Sequence, residues 1–246
     1  MSNIILGNNS VIEALKAGRP INKIIIERNK HNNHLKDIFL MARQQKVTVQ
    51  EAEAQVLEKI AEGQKHQGVL AYVSPVEYAE VDTIIALSKQ GERQPLIVIL
   101  EEVQDPHNFG AIIRSCEAAG VDGIIIPQRR SCPITEVVSK SSSGAIEYMP
   151  IARVGNLAQL IKKLKDSGFW IVAADMDGQS LWTSKINFDF PVALVIGGED
   201  KGIGRLTKSE CDYVVSVPMV GKVNSLNASV ATAVLVFEIA RKRASE

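Results

Sequence analysis

The sequence predicts an α/β protein in two parts, of which the larger C-terminal part is built around a parallel sheet. Between residues 96 and 126, an apolar run of strand length, a segment of helical periodicity and a second apolar run follow one another. That order is typical of two parallel strands joined by a crossover helix. Both runs are apolar throughout, without polar residues at alternate positions, so the sheet is expected to be covered on both faces.

A stretch of weaker patterning separates the two parts. It begins at Pro75 and extends to Pro95, and proline commonly marks the boundary between elements. We therefore predict an N-terminal domain over residues 1–75, a linker over 76–94 and a second domain over 95–246.

The N-terminal part alternates short β-branched runs with helical periodicity, as a small α/β domain does. Strands are expected at residues 24–26, 47–49 and 69–73, and helices at 35–45 and 54–60.

The C-terminal part continues the alternation of strands and helices. Strands are expected at residues 96–100, 124–126, 170–174, 192–196 and 213–217, and helices around 109–116, at 157–165 and around 226–243. Ligands of open parallel sheets bind beyond the carboxyl ends of the strands. The loops that follow Leu100, Ile196 and Val217 are therefore predicted to carry the chemistry.

The composition excludes several classes of protein. The chain has 246 residues, 46% hydrophobic and 23% charged, with 28 Lys and Arg against 28 Asp and Glu, which is typical of a globular protein and not of a disordered or collagen-like one. No apolar run approaches the ~18 residues of a membrane span, and no export signal is visible. Three widely spaced cysteines fit a reducing cytoplasm better than a disulfide framework or a zinc site.

The first loop, residues 101–110, leads into a helix that carries Arg114. Pro106 fixes the entry to this helix, and Asn108 is expected to cap it, because its side chain can accept hydrogen bonds from the first unpaired amides. The forked guanidinium of Arg114 could bind a phosphate or a carboxylate. Taken alone, the segment favours the simpler interpretation of a capped helix with a solvated arginine.

The second loop, residues 197–204, contains four glycines directly after an apolar strand. Glycines let the backbone approach a ligand closely and offer its amides to it. Neither common phosphate motif is present, since the Lys and Ser/Thr of a P-loop are missing and no G-x-G-x-x-G occurs in the chain. This weakens two alternatives, an ATPase and a nicotinamide or flavin dehydrogenase on a doubly wound sheet.

The third loop, residues 218–229, crowds polar residues at the start of an apolar helix. Asn224, Ser225, Asn227 and Ser229 provide more hydrogen-bonding capacity than one helix cap requires. Neutral amides and hydroxyls suit a neutral hydroxyl or an amino-acid-like ligand better than a metal ion. An elaborate N-cap remains the alternative.

In order, the three loops resemble the three motifs of the SpoU (TrmH-like) branch of the SPOUT methyltransferases. The resemblance rests on Asp105–Gly110 with Arg114, on Ile196–Glu199 with Gly202, and on Val217–Met219 with Asn224–Asn227. Members of this branch use S-adenosylmethionine to methylate the 2′-hydroxyl of a ribose in RNA. The resemblance therefore implies an RNA methyltransferase.

The N-terminal part is similar to the RNA-binding domain of the same branch, which has a ribosomal-protein-like fold. Gly7, Glu13–Leu15, Ile21–Ile24 and His66–Val69 carry that similarity. The two-part layout is most similar to the members that methylate a guanosine of 23S rRNA, with tRNA enzymes as near relatives. A non-catalytic RNA-binding protein on the same fold is a further alternative, although all three motifs retain their polar residues.

The resemblance also implies a trefoil knot in the C-terminal domain, a homodimer and a reaction that requires no metal ion. It assigns cofactor binding to Gly197, Gly198, Gly202, Val217, Met219 and Leu226, and the reaction site to Asn108, Arg114, Glu199, Ser225 and Asn227. A guanidinium is a poor base at neutral pH, so we expect Arg114 to bind the phosphate beside the target ribose and at most to take the proton late.

The neutral net charge is a cancellation between the two parts. Residues 1–75 hold 10 Lys and Arg against 7 Asp and Glu, a net charge of +3, whereas the rest of the chain holds 18 against 21. This places the excess positive charge on the part assigned to RNA, and it predicts salt-sensitive RNA binding that depends on residues 1–75.

Overall fold

A computed structural model describes residues 3–19, 21–30, 33–45, 47–73, 76–198, 202–222 and 225–244. The chain forms two compact units. The N-terminal unit comprises residues 1–77 together with 134–148, and the parallel-sheet unit comprises 78–133 together with 149–246.

The elements follow one another in an α/β order. The strands are β1 (Asn3–Leu6), β2 (Ile21–Glu27), β3 (Thr48–Ala52), β4 (Val69–Val73), β5 (Leu96–Leu100), β6 (Gly123–Pro127), β7 (Ile151–Val154), β8 (Trp170–Ser180), β9 (Val192–Ile196) and β10 (Tyr213–Ser216). The helices are α1 (Asn8–Lys16), α2 (Asn33–Gln44), α3 (Ala54–Ala61), α4 (Val81–Ser88), α5 (Pro106–Ala118), α6 (Glu136–Ser141), α7 (Leu157–Asp166), α8 (Arg205–Ser209) and α9 (Ala228–Arg243), with a short 3-10 helix at Ala145–Glu147.

The N-terminal unit has a mixed sheet in the order β1-β4-β2-β3, in which β2 and β3 are parallel and β4 is antiparallel to β1 and β2. Side chains of a strand alternate between the two faces. Ile24 therefore packs with the apolar residues of α1 and α2, whereas Ile25 packs with Leu57 of α3 on the opposite side. The predicted strands and helices of this region are all present. The short elements β1 and α1 were not predicted.

Residues 134–148 belong to the N-terminal unit, although they lie between β6 and β7 in the sequence. Arg19 and Glu147 form an ion pair of 2.6 Å with side chains only 10% and 3% exposed, and the hydroxyl of Tyr148 donates to Glu13 at 2.7 Å. With this segment included, the unit holds 11 Lys and Arg against 10 Asp and Glu. Its net charge is then +1, so the charge difference found in the sequence is too small to indicate RNA binding.

The predicted parallel sheet is confirmed in the second unit. Its order is β10-β8-β9-β5-β6-β7, and every neighbouring pair is parallel. The chain runs from β5 through β6 to β7 on one side and then builds β8, β9 and β10 on the other. The direction of winding reverses between the buried strands β5 and β9, and such a switch point is where ligands bind on open α/β sheets.

The expected linker, residues 76–94, contains a helix. In α4, Ile84 and Ile85 are buried in the core of the parallel-sheet unit. Gly123 makes room for Ile84, because a Cβ at this glycine would lie 2.5 Å from the Ile84 Cγ2. The helix spans only eight residues, too short for its periodicity to be distinguished in the sequence.

Strand β8 leaves the regular sheet for part of its length. Val214 of β10 pairs with Ala173, but the next residue, Val215, pairs with Gln179. Residues 174–178 therefore bulge from the ladder, and we call them the β8 excursion. The sequence predicted a strand that ended at residue 174.

The carboxyl end of α9 is fixed by a partly buried arginine. Arg243 donates hydrogen bonds of 2.7–3.1 Å to the carbonyl oxygens of Gln94, Pro95, Phe188 and Phe190. Burial lowers the pKa of Arg243 to about 10, so the guanidinium stays charged at neutral pH. This anchor holds the helix whose opposite end begins at the third loop.

None of the helices formed by the described residues is both long and apolar enough to cross a lipid bilayer.

Candidate active site

A cleft of about 550 Å³ opens at the carboxyl ends of β8, β9 and β10. Its walls come from the β8 excursion, the glycine loop after β9, the loop after β10 and the start of α9. The lining residues are Ala174, Asp175, Met176, Asp177, Ile196, Gly197, Gly198, Gly202, Val215, Ser216, Val217, Met219, Ser225, Leu226, Ala228, Ala231 and Leu235.

The glycine loop closes on itself. Gly198 and Gly202 exchange backbone hydrogen bonds of 3.2 and 3.0 Å. A Cβ at Gly197 would lie 2.2 Å from the carbonyl carbon of Gly202, which no real contact tolerates, and Gly202 has a φ of 62°. Position 197 therefore requires glycine, and the positive φ favours glycine at position 202. The loop presents backbone to the cleft where side chains would fill it.

The carboxylate of Glu101, directly after β5, supports the glycine loop from outside the cleft. It accepts a hydrogen bond of 3.2 Å from the backbone N–H of Gly204 and one of 3.2 Å from the hydroxyl of Thr207. Glu101 was not predicted as a site residue, because it precedes the recognisable part of the first motif.

The β8 excursion is the part of the cleft that sequence reasoning missed. Asp175, Met176 and Asp177 line the cleft, yet Asp-Met-Asp-Gly is indistinguishable from an ordinary polar turn in sequence. Lys208 of α8 lies 2.9 Å from a carboxylate oxygen of Asp175 and 3.4 Å from one of Asp177. Burial raises the pKa of Asp175, but the hydrogen bonds from the Asp177 amide and Lys208, with the lysine charge, outweigh it and leave this pKa below its ordinary value.

The first motif is capped by a different residue from the one predicted. Asp105 is the N-cap of α5, and its carboxylate accepts from the backbone N–H of Asn108 at 2.7 Å, with Pro106 as the first helical residue. The prediction that Asn108 caps the helix was wrong. An acidic cap followed by proline suits the positive end of the helix dipole, and it leaves the Asn108 side chain available for a tertiary contact.

That contact joins the first and third motifs. The side-chain amide of Asn227 donates to the side-chain oxygen of Asn108 at 3.0 Å. At the same time, Asn227 caps α9, because its side-chain oxygen accepts from the backbone N–H of Ser229 at 2.9 Å. One asparagine therefore fixes the start of α9 and connects it to α5.

The predicted site residues fall into three groups. The six residues assigned to the cofactor, Gly197, Gly198, Gly202, Val217, Met219 and Leu226, line the cleft together with Ser225. Asn108 and Asn227 meet beside it, at the start of α5 and α9, and Arg114 is exposed on α5. Glu199 and Asn224 lie outside the described residues.

The described residues contain no group of three or more His, Cys, Asp or Glu side chains arranged to hold a metal ion. All three cysteines are free thiols. Burial raises the pKa of each, to about 11 for Cys211, so these thiols are protonated at neutral pH. A protonated thiol is a weak nucleophile.

Comparison with known families assigns both parts of the chain. Residues 95–237 match the SpoU rRNA methylase family, and residues 4–79 match the substrate-binding domain of RNA 2′-O-ribose methyltransferases.

Full-length relatives agree with this assignment. A Staphylococcus haemolyticus protein assigned by name to the TrmH family of tRNA/rRNA methyltransferases is 43% identical over 98% of this chain and 96% of its own. Several solved structures match nearly all of this chain. The AdoMet-bound rRNA methyltransferase of Sinorhizobium meliloti is 26% identical, with a TM-score of 0.80 over 98% of this chain and 87% of its own. The SpoU methyltransferase AviRb of Streptomyces viridochromogenes, solved with AdoMet, is 23% identical, with a TM-score of 0.81 over 99% and 91%. The chain belongs to the SpoU (TrmH) family and is an S-adenosylmethionine-dependent RNA methyltransferase.

Proposed function

We propose that the protein transfers the methyl group of S-adenosylmethionine to a ribose 2′-hydroxyl of RNA, with a guanosine of 23S rRNA as the favoured target. One observation carries the proposal. The cleft gathers all six residues that the family resemblance assigns to the cofactor, beside the hydrogen bond between Asn108 and Asn227 that joins the first and third motifs.

The cleft fits S-adenosylmethionine in size and chemistry. Its volume lies within the range of small-molecule sites. Met219 and Leu226, which are 39% and 36% exposed, offer apolar surface for a purine ring, and the glycine loop leaves backbone groups where a Cβ would obstruct the cleft. We infer that the backbone of Gly197, Val217 and Leu226 holds the cofactor. When bound, S-adenosylmethionine supplies a methyl group already activated by its sulfonium.

The protein then has to align the ribose 2′-oxygen with the methyl group and to remove one proton from the hydroxyl. Holding two reactants in line can contribute about 7–11 kcal/mol in favourable intramolecular systems. Ser225 and Asn227 lie at the N-terminal end of α9, where their polar groups can orient the ribose hydroxyl. Asn108 fixes the Asn227 side chain through the hydrogen bond of 3.0 Å.

Arg114 is proposed to bind the RNA phosphate next to the target ribose. Its side chain is exposed on α5, the helix that begins at the Asn108 contact. A guanidinium presents a planar fork that matches phosphate oxygens and holds its protons tightly at neutral pH. Arg114 therefore binds and orients RNA, and it takes the ribose proton late if at all. Glu199, which the family resemblance assigns to the reaction site, is proposed to hold or polarise Arg114 or Asn108.

The 23S rRNA target is favoured over tRNA by the two-part layout. The match over residues 4–79 is to a substrate-binding domain, and an rRNA methyltransferase of solved structure matches 98% of this chain. The relatives named for both tRNA and rRNA support tRNA as the alternative. We place the protein in the cytoplasm, where its RNA substrates reside.

A homodimer and a knotted C-terminal domain are proposed on the family resemblance. Val230 and Phe237 of α9 are about half exposed, and a second copy of the chain would cover them.

The decisive experiment incubates the protein with methyl-labelled S-adenosylmethionine and total RNA from a strain that lacks the modification, and then maps the label. Label in 23S rRNA that disappears when the mapped nucleotide carries a 2′-deoxyribose would support the proposal. Label confined to tRNA would support the alternative target. Transfer that survives the 2′-deoxy substitution would exclude ribose methylation, and cofactor binding without label in any RNA would indicate a non-catalytic RNA-binding protein.

A further inference from the structure

We propose that the short helix α8 positions two walls of the cofactor cleft through Glu101 and Lys208. Neither residue belongs to the three motifs, and neither lines the cleft. The inference rests on the proposed function in one respect, that S-adenosylmethionine occupies this cleft.

Two sets of polar contacts hold the walls, and we call them ties. The first tie joins Glu101 to the glycine loop and α8. Gly204 is the residue before α8, and its backbone N–H donates to the Glu101 carboxylate at 3.2 Å. Thr207, one turn later, donates to the other oxygen of the same carboxylate at 3.2 Å. A Cβ at Gly204 would lie 2.9 Å from that carboxylate. The glycine therefore allows Glu101 to hold the loop and the helix at the same time.

The second tie fixes the β8 excursion. Lys208 follows Thr207 directly and binds Asp175 at 2.9 Å and Asp177 at 3.4 Å. The Asp175 side chain is 18% exposed and that of Asp177 is 87% exposed. The Asp177 backbone N–H donates to Asp175 at 3.1 Å, so the two carboxylates form one compact turn. The ammonium of Lys208 holds this turn at the edge of the cleft.

The two ties involve adjacent residues of one helix, Thr207 and Lys208. Helix α8 has five residues and buries none of them fully. A helix of this length has little stability of its own, and Ile203 before it and Cys211 after it contact the apolar core. The polar ties hold α8 between the glycine loop and the excursion, and a displacement of one wall is passed to the other through the helix.

The consequence for catalysis is specific. Both walls line the cofactor cleft, whereas Asn108 and Asn227 lie beside it at the start of α5 and α9. Loss of either tie should therefore weaken cofactor binding and leave the chemical step and the RNA contacts unchanged. A residue with a merely structural role would instead lower the amount of active enzyme, which lowers kcat and leaves the KM for the cofactor as it was.

The test compares Lys208→Met and Glu101→Gln with the full-length wild type and with Lys163→Met. Lys163 forms an exposed ion pair with Asp82 in the same unit, so its loss is a matched control. We expect the KM and Kd for S-adenosylmethionine to rise about three- to tenfold in the two tie variants. The values of kcat at saturating cofactor and KM for RNA should stay within about twofold, and Lys208→Arg should restore the wild-type KM.

Gly197→Ala separates this inference from the function on which it rests. If the wild type binds no S-adenosylmethionine, or if Gly197→Ala binds it normally, the proposed cofactor cleft is wrong. If Gly197→Ala loses binding while Lys208→Met and Glu101→Gln keep the wild-type KM, the cleft stands and the positioning role of α8 is overturned. A fall in kcat without a change in KM would likewise overturn it.

Discussion

The two units differ in where their charged residues lie. In the N-terminal unit, the ion pair between Arg19 and Glu147 is buried and fastens residues 134–148 to residues 1–77. In the parallel-sheet unit, the sheet core is apolar, and the charges of Arg114 and Lys208 lie at the edge where the site forms. Arg243 also has a structural role in this unit, where it anchors the end of α9, whereas Arg114 and Lys208 are proposed to serve the site. The contrast between the buried pair and these edge charges can be tested by exchanging one residue at a time.

The largest effect is expected from Arg19→Met. Removing Arg19 leaves the Glu147 carboxylate buried without its partner charge. The free energy of unfolding should therefore fall by about 3–5 kcal/mol. Urea denaturation measures this change. Arg28→Met is the control, because the Arg28–Glu53 pair is exposed and its loss should cost less than about 1 kcal/mol.

The pH dependence of the Arg19→Met effect gives a second check. Burial raises the pKa of Glu147 above its ordinary value of 4.5, and Arg19 only partly offsets this. A carboxyl with a raised pKa in the folded state destabilises that state when ionised, and protonation relieves the penalty as the pH falls. The loss in Arg19→Met should therefore shrink from pH 7 towards pH 5. A loss that grew on acidification would contradict a buried, stranded carboxylate.

In the parallel-sheet unit, the largest effect should be on binding. Gly197→Ala places a methyl group against the backbone of Gly202, and we expect S-adenosylmethionine affinity to fall about a hundredfold or more, equivalent to about 2.7 kcal/mol. Isothermal titration calorimetry measures it. Gly155→Ala serves as control, since its new Cβ would meet only the Gln128 side chain at an ordinary 3.7 Å.

A smaller effect, confined to RNA, is expected from Arg114→Lys. Lysine keeps the charge but loses the planar fork, so kcat/KM for RNA should fall about tenfold, with cofactor affinity and the free energy of unfolding unchanged. Steady-state kinetics with a defined RNA fragment provides the measurement. Near-normal turnover would show that a forked phosphate contact is not the role of Arg114.

The smallest effect concerns pH at the Lys208 tie. The hydrogen bond to Asp175 raises the pKa of Lys208 above its ordinary 10.5, whereas the pKa of Asp175 lies below its ordinary 3.8. The tie is lost only when the pH falls through the lowered pKa or rises through the raised one. The affinity ratio between wild type and Lys208→Met should therefore stay constant from pH 6 to pH 9, and a ratio that changes in this range would indicate another partner for Lys208.

Sequence reasoning performed best where one stretch of chain determines its own surroundings. Strands β4, β5 and β9 were predicted to the residue, because a continuous apolar run bounded by glycine, proline or polar residues has few other outcomes. It failed where distant residues decide. The β8 excursion depends on how β10 pairs with β8, and α4 and α8 are too short to show a period. The Asn108 cap was lost to Asp105, which offers a better cap three residues earlier.

The candidate site shows the same division. Its glycine loop and its Asn and Ser residues could be chosen from the sequence because they fall in three ordered motifs. Asp175 and Asp177 could not, since the carboxylates belong to none of the motifs and reach the cleft only through the bulge in β8. Glu101 was equally invisible, because its partners, Gly204 and Thr207, lie more than a hundred residues away.

The insertion of residues 134–148 limits how these units can be exchanged between relatives. A chimaera that takes only residues 1–77 from another protein would pair a foreign sheet with the native α6 and a foreign residue with Glu147. Two crossover points inside the parallel-sheet sequence are needed to transfer the whole unit. The N-terminal unit is therefore encoded by two separate segments of the gene. Recombination at a single boundary would combine residues of two different proteins within this unit.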